Sequence, residues 1–358
     1  MKIFFPFILL LILSGFVFAQ TPAVQQKPLT QAEYVKMLYD LQKNPGKADE
    51  LIETIRVRGI GFELTDGLRS LTISKSRSNA ELKRTLEESA RRRANPEAAK
   101  LPGEKEIAEI LTKAREANLA AVEEMPDFVV KQQIQRSAAY AGTNNFSNLD
   151  RLVVAVSYRA SGKEEYKVLS INGVLQNNPQ SKNSYEETGG TSSTGEFVTV
   201  LAKIFKPESE TKFEIADTDL IRTRRAVVFY YSIEREKAQQ VLIYGTLNDS
   251  TITGMKGKIW IDRENFRVLK IESEATEIPD SFPIRSARRV IDYDWVMIDK
   301  EKYLLPSLSD VRLTTRETKQ IYESKNVIHF KEYQKYGSEV KILDSDEEEV
   351  KEEPKPNQ

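Results

Sequence analysis

The chain has 358 residues, 40% apolar and 30% charged, and its 53 basic and 54 acidic side chains leave a formal charge of −1. So balanced a surface gives no global field favouring nucleic acid or an anionic membrane. There is no cysteine and one histidine, His329, which excludes disulfides, thiolate zinc and iron–sulfur sites, cysteine nucleophiles and multi-histidine metal centres.

Lys2, the apolar run Ile3 to Phe18 and the small-residue site Val17-Phe18-Ala19 read as a signal peptide over residues 1–19. The apolar core is short and no second such stretch follows, so the mature chain is expected to have no transmembrane span. Without a cysteine no lipid can be attached at the new N-terminus. The expected location is therefore periplasmic or extracellular, and not that of a lipoprotein. Residues 20–28 form a linker.

Helical periodicity then defines a module over residues 29–95. Thr30 caps a helix with Tyr34, Met37, Leu38 and Leu41 on one face, ended by Asn44-Pro45-Gly46. A second helix turns Leu51, Ile52 and Ile55 inward and stops at Gly59, after which Ile60, Phe62 and Leu64 plug the core. Thr65 or Asp66 caps a third through Leu68 and Leu71, and Ser78 a fourth from Asn79 to about Ala94. Arg91-Arg92-Arg93 suits the negative end of that helix dipole better than a phosphate site, because no aromatics are interleaved.

Asn95 to Gly103, with two prolines and a glycine, separates this module from a β-domain over residues 103–337. A long helix from about Glu104 to Glu124 is stopped by Pro126. The apolar period then changes from that of a helix to that of a strand. Phe128, Val130, Gln132 and Ile134 alternate with polar neighbours, as do Leu152, Val154, Val156 and Tyr158. Asn172-Gly173 marks a type I′ hairpin. Further strands are expected at Val227–Ile233, Gln240–Leu247, Gly257–Asp262, Phe266–Glu274, Arg288–Ile298, Tyr303–Thr314 and Gln320–Tyr336. Ser193-Thr194-Gly195-Glu196 reads as a capping box ahead of a helix carrying Phe197, Val200, Leu201, Ile204 and Phe205. The short spacings indicate an antiparallel meander. The fold class is thus α+β: a small helical module, then a large antiparallel sheet curled into an open, barrel-like shell and covered by helices. Residues 338–358 form a disordered tail; Glu339 to Gln358 hold eight acidic and three basic side chains.

The stretch GKIWIDRENFRVLKIESE, ending at Glu274, resembles a hairpin of the bacterial outer-membrane lipoprotein carrier and receptor (Lol-like) fold. The helix-then-strand entry at Glu104 to Arg136 and the late pair VIDYDWVMIDKEKYLLPSLSDVRL are similar in order. With SYEETGGTSSTGEF and HFKEYQKYG, the segment also resembles a group of uncharacterised secreted bacterial proteins. The resemblance implies an unclosed barrel that holds acyl chains or another apolar ligand without turnover. It transfers no functional residue, and the helical module has no counterpart in the carriers.

Catalytic signals are sparse. His329 lies within a strand, as a structural or surface imidazole would, and no Gly-x-Ser-x-Gly elbow is present. Asp292 and Asp294 share one strand face, a geometry open to a paired-carboxylate hydrolase or a calcium site, although the alternation of Ile291, Tyr293 and Trp295 reads them as an outer face. Asp262-Arg263-Glu264-Asn265 reads as a hairpin loop. Thr188 to Gly195 has the composition of a phosphate loop but lacks its Gly-Lys-Ser/Thr ending, so a hinge for a lid is preferred. The aromatics Phe229, Tyr231, Trp260, Trp295, Phe197 and Phe205 are the candidate ligand-binding residues, the alternative being ordinary core. No cofactor or metal is expected. Three functions follow: a non-enzymatic exported protein binding an apolar small molecule, an acyl chain or an acylated partner; an envelope interaction protein with a filled core; and a carboxylate-dependent hydrolase.

Overall fold

The computed structural model describes residues 27–176, 188–245, 249–317 and 320–336. Segments 1–19 and 338–358, read above as a signal peptide and an acidic tail, lie outside them. Four helices come first, α1 (Gln31–Lys43), α2 (Ala48–Arg58), α3 (Asp66–Lys75) and α4 (Ala80–Ala94). Thr30 and Glu33 form a reciprocal capping box on α1. Leu29, Tyr34, Leu38, Leu51, Ile55, Leu82 and Leu86 share one buried core, into which Ile60, Phe62 and Leu64 insert. The fourth helix is capped by Asn79, whose Oδ1 accepts from Leu82 N at 2.9 Å, and not by Ser78. Ser78 sits at φ 59°, away from the extended backbone an N-cap requires.

The long helix α5 (Glu104–Glu123) leads into the sheet. Its strands are β1 (Phe128–Tyr140), β2 (Ser147–Tyr158), β3 (Glu164–Ile171), β4 (Val174–Leu175), β5 (Lys212–Ile221), β6 (Arg224–Ile233), β7 (Gln240–Tyr244), β8 (Asp249–Asp262), β9 (Val268–Thr276), β10 (Ile284–Ile298), β11 (Glu301–Glu317) and β12 (Gln320–Lys335). Every pairing is antiparallel, in the order β4-β3-β2-β1-β12-β11-β10-β9-β8-β6-β5, with β7 beside the first half of β8. The β1–β12 pairing joins the ends of the meander, so its edges are β4 and β5. The chain must therefore cross from one edge to the other between them, and the described part of that crossing, from residue 188 on, lies over the concave face. Asn172 (φ 50°) and Gly173 (φ 80°) make the expected I′ turn.

One register row shows how the two faces arise. Phe229, Ile259, Ile271, Ile291, Ser309, Ile328, Ile134 and Leu152 are successive cross-strand partners. All eight are buried on the concave side; α5 and the short helix α6 (Thr199–Phe205) cover Phe229, Ile259, Ile271 and Ile291, while Met125, Phe197 and Val198 pack with Ile328, Ile134 and Leu152. The next row, Val228, Trp260, Lys270 and Asp292, faces the convex side. There the helical module docks through charge. Arg84 bonds Asp219, Arg92 reaches Asp217 at 2.6 Å, and Lys270 reaches Glu81 at 3.0 Å.

Strand β5 was not expected from the sequence. Its two convex-side carboxylates, Asp217 and Asp219, serve Arg92 and Arg84, and a bulge between Ile215 and Asp217 breaks the alternation. The inserted helix also starts later than expected. Ser193 Oγ does bond a carboxylate oxygen of Glu196, but two side chains bonded to each other cap no amide. Gly195 takes φ 76°, a left-handed step that ends any helical start there, and α6 begins at Thr199 behind Val198.

Candidate functional site

The segment 188–198 forms an irregular strap across the concave face, and the sheet holds it in a distinctive way. Arg136 projects inward from β1 on the same face as Phe128, Val130 and Ile134. Asp150 on β2 grips its guanidinium through two bonds of 2.6 and 2.5 Å, which satisfies a charge only 6% exposed. Its remaining nitrogen donates to the Gly189 carbonyl. On β12, Asn326 donates Nδ2–H to the Thr191 carbonyl at 2.6 Å, and Ser324 shares a hydroxyl bond with Thr191. Arg289 on β10 donates to the Thr194 carbonyl at 3.0 Å. Glu164 on β3 accepts from the Gly195 amide at 3.1 Å, and the Tyr293 hydroxyl donates to the Glu196 carbonyl at 3.4 Å. Side chains from β3 and β10 reach one strap only because the sheet curls around it.

The strap ends in an anchor. Phe197 is fully buried among Phe128, Phe330 and Tyr158, with ring centroids 5.2, 5.6 and 6.1 Å away. Two of these contacts are edge-to-face, the arrangement aromatic quadrupoles favour.

Several polar groups on this face are buried without a hydrogen-bond partner among the described residues: Glu196 Oε2, Glu164 Oε1, both amide atoms of Gln132, and the Ser309 hydroxyl. Burial pushes the Glu164 carboxyl above its ordinary range and the Glu196 charge adds to the shift, while bonds from the Tyr166 hydroxyl and the Gly195 amide and the charge of Arg289 oppose it. A raised folded-state value means that the neutral acid is the form that stabilises the closed strap. That contribution is complete below the ordinary carboxyl range of about 4 and is lost as pH rises through the elevated value. Asp217 and Asp292 are raised in the same direction by burial, so Glu164→Gln isolates the strap's share. The variant is expected to lose less melting temperature than the wild type between pH 4 and pH 8; identical slopes would remove Glu164 from the strap's energetics.

The six candidate aromatics occupy different places. Phe229 and Tyr231 face the concave side, where Phe213 bridges Phe205 and Phe229 at 6.1 and 6.4 Å. Phe197 sits in its own cage. Trp260 lies on the convex face under the helical module, its Nε1–H donated to Asp219 at 2.7 Å. Trp295 is half-buried with the Lys302 ammonium 5.1 Å above its ring. His329 is exposed. Asp292 faces Lys270 across the β9–β10 pair, and Asp294 pairs with Arg222 at 3.0 Å. Asp262 closes the β8–β9 hairpin by accepting from the Glu264 amide at 2.8 Å. Thr188 to Gly195 forms the strap itself and does not crown a helix.

Two clefts among the described residues, of about 190 and 170 Å³, are lined by residues that include Arg267 with Tyr303, and Trp260 with Arg56. Ligand sites run to about 300–1,000 Å³, and neither cleft is lined by strap residues. The concave hollow is filled by the chain's own side chains. No group of three or more His, Asp or Glu side chains among the described residues could hold a metal ion. The strap's binding residues Arg136, Asn326, Arg289 and Glu164 were missed from the sequence. Their one signal is a polar residue at an inward position of an otherwise apolar strand face.

No protein-family model matches the chain, and no curated protein matches it. Among solved structures it is similar to a DUF1329 family protein from Desulfovibrio piger, at 7% identity and TM-score 0.27, over 63% of this chain and 93% of that one. MucB in complex with MucA(peri) is similar at 10% identity and TM-score 0.16, again over 63% and 93%. The Pseudomonas aeruginosa MucA/MucB complex is similar at 9% identity and TM-score 0.18, over 62% and 93%. With TM-scores this low, function is read from the chain's own geometry.

Proposed function

We propose that this is an exported binding protein without catalytic machinery, whose curled sheet accepts a guest with an apolar part, such as an acyl chain or a segment of a partner, on its concave face in place of the strap that fills it. The observation that carries this is Phe197, an anchor on an irregular segment whose ring is seated against Phe128, Tyr158 and Phe330 of the sheet. Buried polar groups left unpartnered on the same face cost about 1–3 kcal/mol each, so the closed strap is held less firmly than its burial implies. The division into a helical module over 29–95 and a β-domain over 103–337 belongs to this proposal, as does export through residues 1–19. So does the likeness to lipoprotein carriers, which hold acyl chains inside an open barrel. No helix among the described residues is long and apolar enough to cross a membrane.

Delipidated protein titrated with a fluorescent acyl probe is expected to bind saturably, and more tightly when Phe197→Leu loosens the anchor. Absence of saturable binding by both proteins, for this probe and for a peptide copy of the strap alike, would overturn the proposal. It would favour the second reading, an envelope interaction protein whose shell is permanently filled. That alternative is supported by the packed hollow, and cross-linking to a single abundant envelope partner is its test.

A further inference from the structure

We infer that the guest is an irregular peptide segment recognised through its main chain, an inference that rests on the binding function proposed above. Arg136, Asn326, Arg289, Glu164 and Tyr293 come from four different strands, β1, β12, β10 and β3, and each contacts the strap at a backbone carbonyl or amide: residues 189, 191, 194, 195 and 196. Among the described residues, polar side-chain contacts to this stretch include the hydroxyl pair Thr191–Ser324, a 3.5 Å bond from Arg136 to the Thr188 hydroxyl and the long Arg289–Glu196 approach of 3.9 Å. A row of carbonyls and amides is what any peptide offers, provided that glycine stands where the backbone turns left-handed, as at 189, 190 and 195. Selectivity is concentrated in one place, the cage of Phe128, Phe330 and Tyr158 that takes the Phe197 ring.

An acyl chain placed here in the strap's position would fill the cage but supply no acceptors to Arg136, Arg289 and Asn326. It would leave buried donors unpaired, which is costly at charged groups. A partner segment of about nine residues, small and polar along its length and closed by an aromatic residue, satisfies both halves of the site. The strap is such a segment of the chain itself, occupying the site in cis and competing with a partner by virtue of its tether.

The test uses the full chain with a fluorescein-labelled synthetic peptide of sequence TGGTSSTGEFVT, residues 188–199. Phe197→Ala and the milder Phe197→Leu, both checked for folding by circular dichroism, are expected to bind it at least about 10-fold more tightly than the wild type. A peptide with its phenylalanine replaced by alanine is expected to lose about 30-fold, the effect of a buried aromatic anchor. Shuffling the other residues, with the glycines at 189, 190 and 195 kept in place for their left-handed backbone, leaves affinity within about 3-fold. N-methylation at the position of Gly195, which removes the amide donated to Glu164, weakens binding about 10-fold. Should Phe197→Ala fail to fold, Phe197→Leu carries the comparison. Failure of both folded variants to bind the peptide, while an acyl probe still binds, would overturn the peptide inference and leave the broader function standing. If neither probe binds, both fall. Equal binding of the N-methylated peptide would overturn main-chain recognition.

Discussion

Replacing Lys270 by alanine is expected to cost about 3–5 kcal/mol of unfolding free energy, the usual effect of removing one partner from a buried ion pair. The Lys270 ammonium is 2% exposed and lies 3.0 Å from Glu81, 2.8 Å from Glu272 and 4.7 Å from the centre of the Trp260 ring. Burial alone would lower its pKa, but Glu272 and Glu81 outweigh that and raise it. The converse holds for Glu81: burial pushes its carboxyl up, and Lys270, Arg84 and Arg56 together hold it well below the ordinary range. Without the ammonium, Glu81, Glu272 and Asp292 face one another beneath the helical module with fewer cations to balance them. Removing Glu81 as well relieves part of this repulsion, so Lys270→Ala with Glu81→Gln is expected to lose less than the sum of the single variants. Urea unfolding checks both. A single-variant loss below about 1 kcal/mol would mean that the module is fastened by something other than this network.

That network also explains where the sequence was legible and where it was not. Apolar period identified nearly every strand, because a sheet with one buried face writes its alternation into the chain, as in Phe128 to Ile134 and Leu152 to Tyr158. The Asn172-Gly173 turn and the Thr30 cap were equally readable, since each depends on residues close in sequence. What stayed hidden depends on pairings across the fold. The carboxylates of β5 broke the apolar alternation that would have marked it, although Asp217 and Asp219 are balanced by Arg92 and Arg84, more than a hundred residues earlier. Arg91-Arg92-Arg93 read as a dipole complement, whereas Arg92 bonds Glu88 at 2.9 Å and Asp217 at 2.6 Å, tying helix to sheet. Trp260 was grouped with Phe229 and Tyr231, yet register places it opposite Val228 and Lys270, on the other face.

The strap shows the same division. Its composition pointed to a hinge, and the Ser193–Glu196 spacing to a cap. The structure keeps the spacing as a side-chain bond and moves the helix start to Thr199. Nothing local indicates that Arg136, 52 residues before Thr188, would hold this segment. Arg136 nevertheless occupies an inward position on β1, where alternation demands an apolar residue. A charge in such a place needs both a counter-charge and an acceptor, and Asp150 and the Gly189 carbonyl supply them.

Gly257→Ala is expected to be the most damaging single-methyl change in the sheet. Gly257 lies on β8 between Tyr231 of β6 and Ser273 of β9. A Cβ at this position would stand 1.8 Å from the Glu272 carbonyl oxygen and 2.7 Å from its carbon. Those are backbone atoms of the paired strand, so no rotamer change relieves the clash, and β9 must shift away. The shift is felt on both faces at once. Toward the concave side it breaks the bond from the Tyr231 hydroxyl to the Glu272 carbonyl, 3.1 Å long. Toward the convex side it draws the Glu272 carboxylate from Lys270. Overpacking a core ordinarily costs about 1–3 kcal/mol; with backbone as the obstacle, the expected loss exceeds about 3 kcal/mol, the range in which single substitutions threaten folding. Gly103→Ala is the control, because a Cβ there meets nothing within 4 Å and φ is −73°, so stability should change by no more than about 0.5 kcal/mol. Thermal unfolding of the two variants separates them. A Gly257→Ala protein melting beside its Gly103→Ala counterpart would show that β8 and β9 do not approach so closely, and the register that assigns Tyr231 and Glu272 to opposite faces would have to be redrawn.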